Sequence, residues 1–236
     1  MRVDRAREAA LEALAACRRN GAWVDSALKQ VLRQSALSGR DAAFASRIAY
    51  GVMQNRLYLD RHISRCLTQR IEKLEPLLLD ILRIGAYQLL LMDKVPVNAA
   101  VNEAVEMAKA HRLARAAGLV NAVLRNIDRR RGEPLIFSDP LEGLSVQTSH
   151  PRALVERMTA LLGKEEAERF LHANNEPIPT VIQTNTLKTD AATLRASLEG
   201  EGVRVTPHPW LADCFEISGT GSLESLRAWR EGRFMV

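Results

Sequence analysis

The sequence predicts a mainly α-helical protein in two parts, a bundle built only of helices followed by a small α+β domain. Three observations carry this reading. Apolar residues recur at spacings of three and four through the first 130 residues, the pattern of amphipathic helices. The stretch "RRRGEPLIFSDPLEGLSVQTSHP" then breaks the pattern with Gly and Pro. From Thr180 onward, short runs of strand-forming residues alternate with helical segments.

Taken in order, the first helix carries Ala6, Ala10, Ala13, Leu14 and Cys17 on one face. The second carries Val24, Ala27, Leu28, Val31 and Leu32, and the third Phe44, Ile48, Gly51 and Val52. Ile63, Cys66 and Leu67 mark a fourth. Pro76 suits the first turn of a fifth, where its missing N–H costs nothing, and Leu78, Ile81, Leu82, Gly85 and Leu89 follow. Gly85 allows close approach of another helix. Val97, Val101, Ala104, Val105 and Ala108 define the sixth, and Ala116, Leu119, Val120, Val123, Leu124 and Ile127 the seventh. Short links between amphipathic helices make a bundle.

After the Gly/Pro-rich linker, Ser149 is expected to cap a helix whose first residue is Pro151, bearing Leu154, Val155, Met158 and Leu161. A Glu-rich helix runs to about His172. The segments "TVIQTN", "VRVTPH", "DCFEIS" and "RFMV" read as strands. One helix between them is capped at Thr189 or Asp190 and carries Leu194 and Leu198; the other, "SLESLRAW", is capped by Ser222. The order β-α-β-β-α-β is the ferredoxin-like arrangement. The expected domains are 1–131 (helical), 132–148 (linker) and 149–236, the last divided into a helical pair at 149–172 and a sheet part at 180–236.

Composition narrows the classes. The longest apolar stretch, "LLLDILRIGAYQLLLM", holds Asp80 and Arg83 at its centre, which suits a buried helix and not a membrane span. The amino end has Asp4 and Glu8 and no apolar secretory core, so a cytoplasmic protein without membrane attachment is expected. Cys17, Cys66 and Cys214 are odd in number and lack metal-ligand spacing, so each reads as a small core hydrophobe. Residues 1–135 hold 23 Lys+Arg and 14 Asp+Glu, a net of +9, whereas residues 136–236 hold 10 and 14, a net of −4. An Arg-rich basic half fits phosphate contacts, because guanidinium forks pair with phosphate oxygens.

The run "LRIGAYQLLLMDKVPVNAAVNEAVEMAKAH", followed by "GLVNAVLRNI", resembles the NusB family. Within it, Ala99, Ala100, Ala104 and Ala108 permit tight helix packing, and Asn102 and Asn121 are expected to be buried amides joining helix ends. The continuation "SHPRALVERMTALLGKEEAERFLHANNEPIPTVIQTNTLK" is similar to bacterial 16S rRNA cytosine-5 methyltransferases of the RsmB (Sun, Fmu) type. Ser149, His150, Pro151, Asn174, Asn175, Pro177, Asn185 and Lys188 carry that similarity, and Gln183 stands where the family usually has Arg.

The resemblance implies an N-terminal region that recognises and positions 16S rRNA, or a small-subunit precursor, for methylation. In such enzymes a catalytic domain binding S-adenosylmethionine follows at once. No Gly-rich dinucleotide turn is legible in this chain: "SGTGS" at 218–222 lacks the spacing. The closing "RFMV" is accordingly expected to be the last strand before that domain, with no catalytic residue and no cofactor held here. The expected RNA contacts are Arg2, Arg5, Arg7, Arg18 and Arg19 near the first helix, Arg129, Arg130 and Arg131 as a second patch, and Asn185 and Lys188 in the small domain. The competing reading is a non-enzymatic antitermination module of the NusB type, whose helical bundle can also form a homodimer.

Overall fold

A computed structural model describes residues 3–221 and 223–236. The expected contact Arg2 and the expected cap Ser222 lie outside the described residues. The chain divides into two compact units, the first extending to Asn175 and the second covering Glu176–Val236.

All seven expected helices of the bundle are present: α1 (Arg5–Asn20), α2 (Val24–Ser35), α3 (Gly39–Gln54), α4 (Arg56–Ser64), α5 (Pro76–Leu91), α6 (Val97–Ala110) and α7 (Ala117–Arg130). Asp4 caps α1 by accepting from the Arg7 N–H at 3.0 Å, which satisfies one of the donors a helix start leaves open. Gly21 ends α1 in the left-handed conformation at φ 64°, which a residue without Cβ adopts freely. Helix α4 stops at Ser64, so Cys66 and Leu67 pack on the core from the turn beyond it.

Helix α5 runs through the middle of this unit, with Leu78, Ile81, Leu82, Ile84, Ala86 and Leu89 buried among the other helices. Two glycines set how close the helices come. A Cβ on Gly85 would lie 2.5 Å from Leu124 Cδ1 of α7, and one on Gly51 would lie 2.0 Å from Cζ of Tyr87. Both positions exclude any side chain without repacking.

The expected linker is partly ordered as a helix. Pro140–Thr148 form α8, started by Asp139, whose carboxylate accepts from the Leu141 N–H at 2.9 Å. Its apolar residues, Leu141 and Leu144, face Val155 and Leu171 of the following pair, α9 (Arg152–Leu162) and α10 (Lys164–Ala173). Ser149 does not start α9. It ends α8 at φ 55°, Pro151 occupies the cap position of α9, and the Ser149 hydroxyl accepts from the Leu57 N–H at 2.9 Å. A bond from α4 to the end of α8 therefore ties these helices to the bundle, and the first compact unit extends past the expected boundary at 149.

The second unit is a four-stranded antiparallel sheet in the order β2-β3-β1-β4, from β1 (Thr180–Thr184), β2 (Arg204–Pro207), β3 (Cys214–Ser218) and β4 (Phe234–Met235). The register places Ile182 opposite Phe215 and Val205 opposite Ile217. Those side chains form a separate core with Leu194 and Leu198 of α11 (Ala191–Gly200), Leu226, Ala228 and Phe234. Asp190 caps α11 through the Thr193 N–H at 2.8 Å. The expected "SLESLRAW" helix is shorter, a 3-10 turn at Leu223–Ser225 and then α12 (Arg227–Arg230).

Candidate nucleic-acid interface

The arginines expected at the amino end of α1 have different surroundings. Arg5 is exposed, and its Nη2 donates to the Ser35 carbonyl at the end of α2. Arg7 is not available to a ligand. Its Nε donates to Gln88 Oε1 at 2.8 Å, its Nη1 lies 3.2 Å from Asp4 Oδ1, and its guanidinium stacks over the Phe44 ring at 4.9 Å. Helical periodicity places position 7 beside the buried Ala6 and Ala10, and a long side chain there can only point inward if partners meet it. The neighbourhood is also acidic: Glu8 lies 2.6 Å from His111, and Glu103 accepts from the Asp4 N–H at 3.1 Å.

At the other end of α1, Arg18 Nε donates to Asp80 Oδ2 at 3.0 Å, and Arg19 Nε donates to the Ala15 carbonyl at 3.3 Å. Asp80 is itself buried and lies within an ionic frame. Arg83 grips Asp60 with two bonds, at 2.7 and 2.8 Å, and reaches Asp80 Oδ1 at 3.1 Å. Burial works against the Arg83 charge, and the two carboxylates outweigh it.

The second expected patch is largely satisfied within the chain. Arg129 donates to Asn126, Arg130 to Glu133 at 2.9 Å, and Arg131 lies 3.9 Å from Asp128. Glu133 also takes Arg65 at 3.0 Å. These are exposed pairs, which hold their partners weakly and can exchange them for phosphate.

In the second unit, Asn185 and Lys188 both reach the turn before β4. Asn185 Nδ2 donates to the Gly232 carbonyl and Lys188 Nζ to the Glu231 carbonyl, each at 2.8 Å. That geometry pins a turn. Gln183 is exposed on the sheet, opposite Cys214 and Met235. The "SHP" and "NN" segments meet one another: Asn174 Nδ2 lies 2.8 Å from His150 Nε2, and Asn175 Nδ2 donates to the Thr148 carbonyl at 2.7 Å. Asn102 and Asn121, expected to be buried, are exposed on α6 and α7. The helical spacing points both away from the core face that Val101, Ala104, Val120 and Val123 fill.

Sequence reasoning passed over a different set of cations. Arg33, Arg40, Arg47, Arg56, Arg112 and Arg115 are exposed and make no side-chain hydrogen bond or ion pair among the described residues. Single arginines scattered over helices leave no local motif; only their spacing on solvent faces, such as Arg40 and Arg47 seven apart on α3, marks them. Trp23, just before α2, is 84% exposed and was equally unmarked.

The three cysteines are not poised as nucleophiles. Cys214 is buried, and burial pushes the Cys17 and Cys66 thiols up, away from the thiolate form a nucleophile needs. Among the described residues no group of His, Cys, Asp and Glu is placed to hold a metal ion, and no helix is long and apolar enough to cross a membrane. A site for S-adenosylmethionine does not fit here either: Gly219 and Gly221 follow β3 but lead into a three-residue 3-10 turn, too short to offer a helix N-terminus to a ligand.

Two family models match the chain in succession. The NusB family model matches residues 4–129. A model described as Methyltr_RsmF/B-like, ferredoxin-like domain matches residues 150–224. A probable ribosomal RNA small subunit methyltransferase B from Bacillus subtilis (strain 168) is 33% identical over 207 residues, covering 87% of this chain and 46% of the relative. One from Synechocystis sp. (strain ATCC 27184 / PCC 6803 / Kazusa) is 30% identical over 234 residues, covering 98% and 52%. The chain thus spans about half the length of these relatives. A crystal structure of PH0851 superposes over 100% of this chain and 53% of its own, with a TM-score of 0.72 at 20% identity, a likeness of fold.

Proposed function

We propose, from the premise that this chain belongs to the NusB family over residues 4–129 and continues into an RsmF/B-like ferredoxin-like domain, that it is the RNA-binding N-terminal part of an rRNA cytosine-C5 methyltransferase. The single observation that carries the reading is similarity to small subunit methyltransferase B along 98% of the chain, through both units. In this reading the two units recognise and hold 16S rRNA, and methyl transfer from S-adenosylmethionine belongs to sequence beyond residues 1–236. The positive balance of residues 1–135 supplies the attraction to phosphate. Arg5, Arg18, Arg19, Arg129–Arg131, Asn185 and Lys188 remain proposed contacts, and the six unpaired arginines join them. Arg2 remains a proposed contact as well. A cytoplasmic setting and a homodimer through the helical unit complete the proposal. The division into domains at 1–131, 132–148 and 149–236 is also proposed, as a division by descent that differs from the compact units, whose boundary falls after Asn175.

The antitermination alternative rests on the helical unit alone, and it gives the second unit no task. Ultraviolet crosslinking of the purified chain to total bacterial RNA separates the two. Enrichment of small-subunit rRNA over large-subunit rRNA and over leader transcripts is expected. Enrichment of leader transcripts instead supports the antitermination module, and no enrichment removes the rRNA reading.

A further inference from the structure

At the C-terminal end of α1 a cleft of about 560 Å³ opens between α1, α3, α4 and α5. Its volume falls within the range of small-ligand sites. Leu14, Val52, Leu74 and Leu79 give it an apolar lining, and its charged residues are Arg18, Arg56, Arg83, Asp80 and Glu72. The three guanidinium groups and two carboxylates leave the lining at +1. Asp80 is matched by Arg18 and Arg83, and Glu72 lies 3.4 Å from Arg70. Arg56 is exposed without a side-chain partner among the described residues, and Arg18 uses only its Nε, leaving its two terminal nitrogens to donate outward.

Two exposed aromatic residues lie close in sequence to residues that line the cleft. Trp23 follows directly on the lining residue Ala22 and is 84% exposed. Tyr50 is 41% exposed, precedes the lining residue Met53 on α3, and donates its hydroxyl to Asp25 Oδ1 at 2.8 Å, which brings α3 against the start of α2 beside Trp23. The Trp23 side chain makes no capping hydrogen bond at the start of α2. An exposed indole one residue along the chain from a cleft that holds the unpartnered Arg56 and the free end of Arg18 is a combination suited to single-stranded nucleic acid: bases stack on the ring while the cations hold phosphate.

We infer that this cleft receives one unstacked nucleotide of single-stranded RNA, its base against the apolar lining, a neighbouring base on Trp23, and its phosphate at Arg56 and the free end of Arg18. The inference rests on the RNA-binding reading and places recognition at the far end of α1 from the acidic neighbourhood of Arg7. At 1.5 Å rise per residue, Arg5 and Arg19 are about 21 Å apart along the helix.

The test is equilibrium binding of the full chain to a short mixed-sequence oligoribonucleotide and to an RNA hairpin with a closed stem, using Trp23→Ala and Arg56→Gln. Both positions are exposed, so urea midpoints equal to wild type establish that the variants fold. Each variant is expected to bind the single strand roughly 10-fold more weakly, within the range a lost base–aromatic stack gives, with little change for the stem. With Trp210 and Trp229 replaced by Phe, the remaining Trp23 fluorescence is expected to be quenched by the single strand. Single-strand binding by both variants within about twofold of wild type, with Trp23 fluorescence unmoved, overturns the inference and leaves RNA binding standing. A wild-type chain that binds neither RNA overturns both.

Discussion

The guanidinium of Arg7 donates to the side-chain carbonyl of Gln88 at 2.8 Å, joining α1 to α5 across 81 residues of sequence in a buried setting. Both groups lie in the core face of their helices, and each satisfies the other where water is excluded. Arg7→Ala removes the charged partner and strands the Gln88 oxygen. A loss of about 2–4 kcal/mol in folding stability is expected, measured by urea unfolding. RNA affinity measured where the variant is fully folded should not change. A variant of native stability that loses RNA would return Arg7 to the interface.

His62 carries a pH dependence. Burial, reinforced by the nearby positive charge of Arg65, lowers its pKa from 6.5 to about 4. Between those values the unfolded chain binds a proton that the folded chain refuses, so stability is fully present above pH 6.5 and is lost as pH falls towards 4. At 1.36 kcal/mol per pKa unit, acidification from neutral pH to pH 4 should cost about 3 kcal/mol from this one residue. Urea unfolding of His62→Phe at both ends of the interval should show that much less acid loss than wild type. Equal acid loss in both proteins would assign it to other groups.

Gly85→Ala places a Cβ 2.5 Å from Leu124 Cδ1. Overpacking of this kind costs about 1–3 kcal/mol. Leu124→Ala in the same chain opens the space, so the double variant should be more stable than the sum of the single losses predicts, the coupling expected of residues in contact. Strict additivity in thermal unfolding would mean that the helices do not meet at this point.

Asn185→Ala frees the Gly232 carbonyl and the turn before β4. The second unit should lose about 1 kcal/mol, the usual net worth of one such hydrogen bond. Faster amide exchange in β4 and its partner β1 would report the loss locally. Unchanged exchange together with weakened RNA binding would make Asn185 a contact and not a pin.

The elements were legible in the sequence where one face alone decides them. Leu78, Ile81, Leu82 and Gly85 define α5 by spacing, and its Asp80 and Arg83 fail to disrupt it because Arg18 and Asp60 complete their pairing. The strand-forming runs "TVIQTN" and "DCFEIS" likewise mark β1 and β3. What the sequence did not show depends on distant partners. Ser149 reads as a helix start from its neighbours, yet it ends the preceding helix because Leu57, 92 residues away, offers it an N–H. Arg7 and Arg5 look alike in the sequence, and only Gln88 and Phe44 separate a buried cation from an exposed one. The cleft beside Trp23 is assembled from four helices and two connecting segments, with no local motif to announce it.

The central claim, that this chain binds RNA through its basic first unit, is tested most directly by a salt titration of its affinity for hairpins and single strands taken from 16S rRNA. The account predicts that the logarithm of the affinity falls linearly with the logarithm of salt concentration, by about 0.7–0.9 for each phosphate neutralised and with several phosphates engaged. An affinity that salt leaves unmoved would contradict it.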